Sequence, residues 1–467
     1  MKVSWTSFFR FRFFLFRKRI VSFIGSEYEA VRQNHSLEHL RIIETEYGSS
    51  ESQNRGPFSY LAFFMAANQL LMQGKYDKAL RLAERAEFLR NQKKKSSFTS
   101  TFIDDWAGGD LISNIGHTAL GLQLLRFRGI VEGIHTPTLF HSFGSTNKLL
   151  VKKMSEHVKV QMLPLLKYYQ FEKMFRPHQI EMNFVKTKVG ILEINEAFKY
   201  YAHFALPLAT PLSIEDNERD AAFDSLRDTK LDLTRPLIAI HIREANEDNP
   251  LRSGNYSDLN SIVQACLPFA EQGFQFIRMG NRGMKSLSSV DCLKKSRLRN
   301  CFFDYANSDI KSELMDVFFW SYCIFLIGGD SGPITVPMLF NKPVLRLNAN
   351  KPFLENIGHS GFVAPKLIRD QNTGGFLSYR EATDKSLTFS HKLDIYPFIR
   401  ECLPSSIIES CISDMLDNYF HANHIPSAPP QKNNKVPSLW KSPKHYPTHE
   451  LSIAPSFIQN YSELFKF

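Results

Sequence analysis

Cysteine is scarce and unpatterned in this chain: six in 467 residues, at 266, 292, 301, 323, 402 and 411. No two form a CxxC pair, so no zinc ribbon or thioredoxin-like redox motif is encoded. Six cysteines in so long a chain do not make a disulfide scaffold either, and they read as buried thiols of a reducing compartment. No HExxH run and no ligand-spaced His group occurs, so neither a metal nor a cofactor is expected. No G-x-G-x-x-G follows a strand, which argues against a dinucleotide oxidoreductase. No uninterrupted apolar run reaches the ~20 residues of a membrane span, and no acidic residue precedes Glu27.

What is present is a folded composition, 43% hydrophobic and 22% charged, with a net charge of +10. The length suggests roughly three domain-sized units. A basic surface attracts phosphates, but no nucleic-acid reader motif accompanies the charge, so nucleic acid is not an expected partner. In residues 1–25, Trp5, Phe8, Phe9, Phe11, Phe13, Phe14 and Phe16 alternate with Arg10, Arg12 and Arg17. Basic plus aromatic is the chemistry of an interfacial anchor, which would make the chain cytoplasmic and peripheral on the inner membrane. A terminal segment packing its phenylalanines on the protein's own core is the alternative. Residues 26–97 read as helical. Gly74, Tyr76 and Ala79, with Ala83 and Ala86, resemble one tetratricopeptide unit, and an ordinary helical hairpin also fits.

From residue 98 the pattern turns to alternating strands and helices. Strands are expected near 136–142, 158–163, 237–243, 274–279, 323–328 and 343–347, with helices over 259–272 and 311–321. That alternation predicts an α/β fold, a parallel sheet covered on both faces. The polar stretch 212–236 divides it into a first domain, 98–235, and a second, 236–420. Residues 421–450 form a Pro-rich linker, and the apolar residues of 451–467 are expected to dock.

Four motifs carry chemistry. Residues 323–345 read strand, tight turn, short helix, strand, with Gly328, Gly329, Asp330, Ser331 and Gly332 in the turn. A helix start after a parallel strand favours an anion, and ligands of open α/β sheets bind at that edge. The strand through Leu237 and Ile240 ends in His241 and Arg243, which share a face by the two-residue period. A diphosphate is the natural partner of Arg243, since arginine grips phosphate with two parallel hydrogen bonds; a salt bridge to Glu244, Glu247 or Asp248 is the other reading. The next strand delivers Arg278 and Gly280 to its end. Finally, His117 stands where a loop bearing Asp104, Asp105, Gly108, Asp110 and Gly116 enters a helix from Thr118 to about Arg128. Histidine there is a candidate general base, with the three aspartates as rivals.

Residues 273–280, 303–308, 315–318, 330–332, 341–344, 364–370 and 453–457 together resemble a family of predicted bacterial glycosyltransferases, some with tetratricopeptide units in front. Asp330, Ser331 and Gly332, with Lys342 and Pro343, are similar to the heptosyltransferase nucleotide-sugar motif, which usually has His where Thr335 stands. Ile115, Gly116 and His117 are similar to the loop in which those enzymes carry a catalytic Asp after Gly. His241, Ile242 and Arg243 resemble the His-x-Arg of O-fucosyltransferase-like enzymes, whose Arg holds the donor diphosphate. The resemblance covers about 100–467. It implies a GT-B architecture of two Rossmann-like domains and metal-independent transfer from a nucleotide-sugar donor to a glycan or lipid-linked acceptor. His117 and Arg243 would be catalytic, and His241, Arg243, Arg278, Gly280, Asp330, Ser331 and Gly332 would bind the donor diphosphate. A non-catalytic GT-B-like binding or scaffold protein is the alternative function.

Overall fold

The structure is a computed structural model. It describes residues 63, 66, 67, 70, 76–94, 106–107, 115–133, 138–141, 147–162, 184–187, 189–243, 256–294, 296–350, 360–384, 397–420 and 452–465. The basic segment 1–25, Asp104, Asp105, Gly108, Asp110 and the linker 421–450 lie outside the described residues. The chain divides into two compact units, residues 1–100 with 176–193, and residues 101–175 with 194–467.

In chain order, helix α1 (Tyr76–Lys94) comes first. It buries Ala79, Leu82, Ala83 and Ala86, one stripe at i, i+3, i+4 and i+7. Strands β1 (Trp106–Ala107), β2 (Thr138–His141) and β3 (Lys159–Met162) form a parallel three-stranded sheet, with helices α2 (Ile115–Glu132) and α3 (Lys148–Met154) between them. Strands β4 (Phe184–Thr187) and β5 (Gly190–Glu193) make an antiparallel hairpin, followed by α4 (Ile194–Ala205). The polar stretch 212–236 is more than a connector, because it holds helix α5 (Asp216–Leu226). Glu215 and Glu218 close that helix's first turn as a reciprocal capping box.

The second sheet carries the site. Strands β6 (Leu237–His241), β7 (Gln275–Arg278), β8 (Phe302–Phe303), β9 (Phe325–Gly328), β10 (Val344–Ala349) and β11 (Gly361–Pro365) are joined by β14 (Ser452–Ile453). The spatial order is β14-β11-β10-β9-β6-β7-β8, and every neighbouring pair is parallel. A separate antiparallel pair, β12 (Leu367–Asp370) with β13 (Phe398–Glu401), stands outside this sheet. From β6 the chain winds outward through β7 and β8, then returns to β9 and winds the other way. The reversal lies between β6 and β9.

Burial explains the strands. Leu237, Ile238, Ala239 and Ile240 of β6, and Phe325, Leu326 and Ile327 of β9, are at most 2% exposed. Continuous apolar runs of this kind form where helices cover both faces. Helix α6 (Leu259–Glu271) supplies Ile262, Val263, Cys266 and Phe269 to the core. Its N-cap Asp258 accepts from the Asn260 and Ser261 N–H groups. Helix α7 (Glu313–Tyr322) leads into β9 and is capped by Ser312, which accepts from Met315 N–H at 3.2 Å. Helix α8 (Ser405–Tyr419) packs Ile408, Cys411, Ile412 and Met415 into the same core.

Candidate functional site

Open α/β sheets bind ligands in the crevice at the carboxyl ends of their strands, where the winding reverses. Here the reversal is marked by His241, the last residue of β6, opposite Gly328, the last residue of β9. The loop after β9 folds back on β6: Gly329 N–H donates to the His241 carbonyl at 3.2 Å. It also brings Ser331 Oγ to 3.0 Å from His241 Nδ1. Ser331 caps by backbone alone and makes no side-chain cap bond, so its hydroxyl serves the imidazole. Beyond Ser331 the chain makes a short 3-10 turn, Gly332–Thr335, and runs into the one-turn helix Val336–Leu339. The dipole of so short a helix is correspondingly small.

The electrostatics of this point are cationic. Burial pushes the His241 imidazole down to about 4, and the positive charges of Arg278, Arg243 and Lys311 add to the shift. The ring is therefore neutral near pH 7. Arg243, just beyond β6, is partly exposed. Its carbonyl accepts from Ser257 N–H at 3.0 Å, which ties the segment after β6 to the start of α6. Arg278 pairs in register with Ile240 on the other flank of β6. It is 1% exposed and donates to the Lys285 carbonyl. Gly280, two residues on, has φ +150° and packs so close to Met284 that a side chain there would collide with the thioether. That is the left-handed backbone glycine tolerates.

Asp330 is spent on structure. Arg346 of β10 gives its Oδ1 two hydrogen bonds, from Nε at 2.8 Å and Nη2 at 2.6 Å, and Asn350 N–H donates to Oδ2 at 2.7 Å. The pair is 2% and 10% exposed. A carboxylate so engaged fixes the shape of the turn that presents Ser331, while its charge opposes a phosphate. Asn348, with φ +54°, braces the same layer: it donates to Ser257 Oγ at 3.3 Å and accepts from Leu403 N–H at 2.7 Å.

His117 lies in the first turn of α2, because that helix begins at Ile115, three residues before the expected start at Thr118. Gly116 is used for close packing instead of a turn. A Cβ on it would overlap the Gly332 backbone, and Thr335 Oγ1 meets the Gly116 carbonyl at 3.0 Å. The backbone at His117 is thus one residue from a contact with the loop after β9.

Sequence reading missed Lys311, whose charge reaches His241. It follows β8 across a turn and helix start that carry no ligand motif. A cavity of about 270 Å³ lined by Leu212, Ile214, Arg219, Phe318, Tyr322 and Phe340 lies elsewhere. Tyr322 and Phe340 precede β9 and β10, which puts it at the opposite, amino edge of the sheet. Among the described residues no group of three His, Cys, Asp or Glu side chains could hold a metal ion, and no helix is long and apolar enough to cross a membrane.

These features define an α/β protein whose parallel seven-stranded sheet reverses its winding between β6 and β9, with the positive charges of Arg278, Arg243 and Lys311 acting on His241 at that point. The chain matches no protein-family model and no curated protein. Among solved structures it is similar to E. coli ADP-heptose lps heptosyltransferase II, at 14% identity over 55% of this chain and 88% of that one, with a TM-score of 0.38. It is also similar to the glycosyl transferase family 9 structure from Veillonella parvula DSM 2008, at 14% identity over 53% of this chain and 68% of that one, with a TM-score of 0.29. Likenesses this distant carry no argument about activity.

Proposed function

We propose that this chain is a glycosyltransferase of the GT-B type, moving a sugar from a nucleotide-sugar donor to a glycan or lipid-linked acceptor without a metal. The observation that carries the reading is the convergence at the reversal point: a neutral His241 bonded to Ser331, surrounded by the charges of Arg278, Arg243 and Lys311. Cations gathered beside a hydroxyl-bearing turn at a strand end suit a diphosphate. In transfer, the bond from the sugar's anomeric carbon to the diphosphate oxygen breaks, and negative charge grows on the leaving oxygens. Prearranged cations stabilise that charge without a metal.

In this reading Arg243 grips the diphosphate directly, being partly exposed at the crevice. Ser331, Gly332 and His241 line the phosphate pocket. Arg278 and Asp330 hold the loops that shape it, with Gly280 admitting the backbone turn. The first domain, 98–235, takes the acceptor. His117 accepts the proton of the acceptor hydroxyl as the new glycosidic bond forms. The Gly116–Gly332 contact supports this, because it sets the first turn of α2 beside the donor loop. A basic, aromatic segment 1–25 suits an acceptor held at the cytoplasmic face of the inner membrane. The tetratricopeptide-like segment 26–97 fits a partner-docking role.

The test is nucleoside diphosphate binding to the full chain, followed by Arg243→Ala. The wild type gains melting temperature with at least one nucleoside diphosphate, since a ligand held only by the folded state raises apparent stability. Arg243→Ala loses that gain and transfer with it, a deficit of about 2–5 kcal/mol, while its own melting temperature changes little. Near-normal turnover in this variant refutes the assignment. Slow donor hydrolysis without acceptor separates an enzyme from a non-catalytic binding protein of the same fold.

A further inference from the structure

Lys311 belongs to no motif, yet the fold sets it at the same edge. β8 ends beside β7 at the carboxyl edge of the sheet, and α7 runs from that edge back to the start of β9. The connecting residues 304–312 therefore lie over the crevice side. They are knitted to the loop after β7. Asn307 accepts from Gly283 N–H at 3.2 Å and donates to the Met284 carbonyl at 3.1 Å. Asp304 accepts from Ser286 Oγ and Leu287 N–H, both at 3.0 Å.

The side chain is held with equal care. Lys311 Nζ is 2.9 Å from Asp316 Oδ1 and 4.7 Å from the centroid of the Tyr305 ring, and the side chain is 15% exposed. Tyr305 is fully buried and gives its hydroxyl to Asp316 at 2.8 Å. One carboxylate and one aromatic face thus fix the ammonium. An ammonium has three N–H donors. One goes to Asp316, and no other hydrogen-bond acceptor for Lys311 occurs among the described residues.

The charge balance points the same way. Lys311, Arg243 and Arg278 all act on one imidazole. Asp316 pairs with Lys311, and two further acids are engaged: Asp330 with Arg346, and Asp258 with the N–H groups that open α6. An anionic oxygen would give the remaining Lys311 N–H groups a charge-assisted acceptor.

We propose that Lys311 is a further donor-binding residue, its ammonium taking a diphosphate oxygen of the nucleotide at the winding reversal while Asp316 and Tyr305 hold it in place. The assignment rests on the reading of this crevice as a nucleotide-sugar site. It extends that site across β7 to the loop after β8, so the ligand is clasped from both flanks of β6.

The experiment is calorimetric titration of UDP, ADP and GDP into the full chain and its variants. Lys311→Gln and Lys311→Met weaken binding of the preferred nucleotide by about tenfold or more, the scale of a lost charge-assisted contact. Lys311→Arg recovers part of the loss. Arg219→Gln, which removes the same charge at the opposite edge of the sheet, binds like the wild type. Should Lys311→Gln not fold, Lys311→Met keeps the aliphatic stem against Tyr305 and carries the measurement. A variant pair that melts lower but binds as Arg219→Gln does would make Lys311 a structural residue and overturn this inference alone. If the wild type binds none of the three nucleotides, the nucleotide-sugar reading fails and the role of Lys311 falls with it.

Discussion

Gly116→Ala is the sharpest perturbation the geometry offers. The Gly116 and Gly332 backbones touch, and an added methyl at 116 would overlap Cα, C and O of Gly332. The reverse substitution is milder: a methyl on Gly332 meets Gly116 Cα at 3.1 Å and N at 3.3 Å. Carbon atoms rest near 3.5–4.0 Å, so Gly332→Ala asks for a few tenths of an ångström and Gly116→Ala for on the order of 1 Å. Neither glycine has a positive φ, so the difference is steric and owes nothing to backbone strain. Overpacking of the harder kind costs about 1–3 kcal/mol. A misplacement of about 1 Å between reacting groups costs about a hundredfold in rate. Gly116→Ala is therefore expected to lower the melting temperature and to depress transfer far more than nucleotide affinity. Gly332→Ala should do less of both. Thermal melts, nucleotide titration and a transfer assay on the two variants decide it. Equal penalties, or a harmless alanine at 116, would show that the two backbones do not meet in solution and would remove the support for His117 as base.

Three further outcomes are expected at the site. Asp330→Asn leaves the Arg346 guanidinium buried beside a neutral amide, at a cost of about 3–5 kcal/mol; pairing it with Arg346→Met restores much of the lost melting temperature, and failure to do so would mean the two groups are not coupled. His241 gives a pH signature. Its folded value of about 4 lies below the ~6.5 of an unfolded histidine, so the unfolded chain binds more protons in between. Its contribution is complete above about pH 6.5 and is lost as the pH falls toward 4, by at most about 3 kcal/mol before screening at the partly exposed ring. Melting curves across that window should slope less in His241→Gln than in the wild type. His117→Ala should lower turnover more than donor affinity; a change in donor affinity alone would rule out the base.

Much of the second sheet was legible because its strands are buried on both faces. Apolar runs flanked by Gly, Pro and charge announce such strands without reference to anything distant. The expected segments at 237–243, 274–279, 323–328 and 343–347 coincide with β6, β7, β9 and β10. The two-residue β8 and the two-residue β14 are too short to carry a period, so neither announces itself as a strand. Helix α5 was hidden by its polarity. It buries only Ala222 and Leu226, so it has almost no apolar stripe to detect.

The order of residues along the chain determined an alternating α/β protein, and it put histidine, serine and arginine at strand ends, because those patterns are local and repeat every two or four residues. Only the tertiary structure decided which ends meet. Parallel winding set β9 beside β6 and so joined Ser331 to His241 across 90 positions. It directed Asp330 to Arg346, brought the Lys311 charge within reach of the same imidazole, and pressed Gly116 onto Gly332. Contacts of that kind depend on how a sheet is ordered and twisted, and no neighbouring residue in the chain records it.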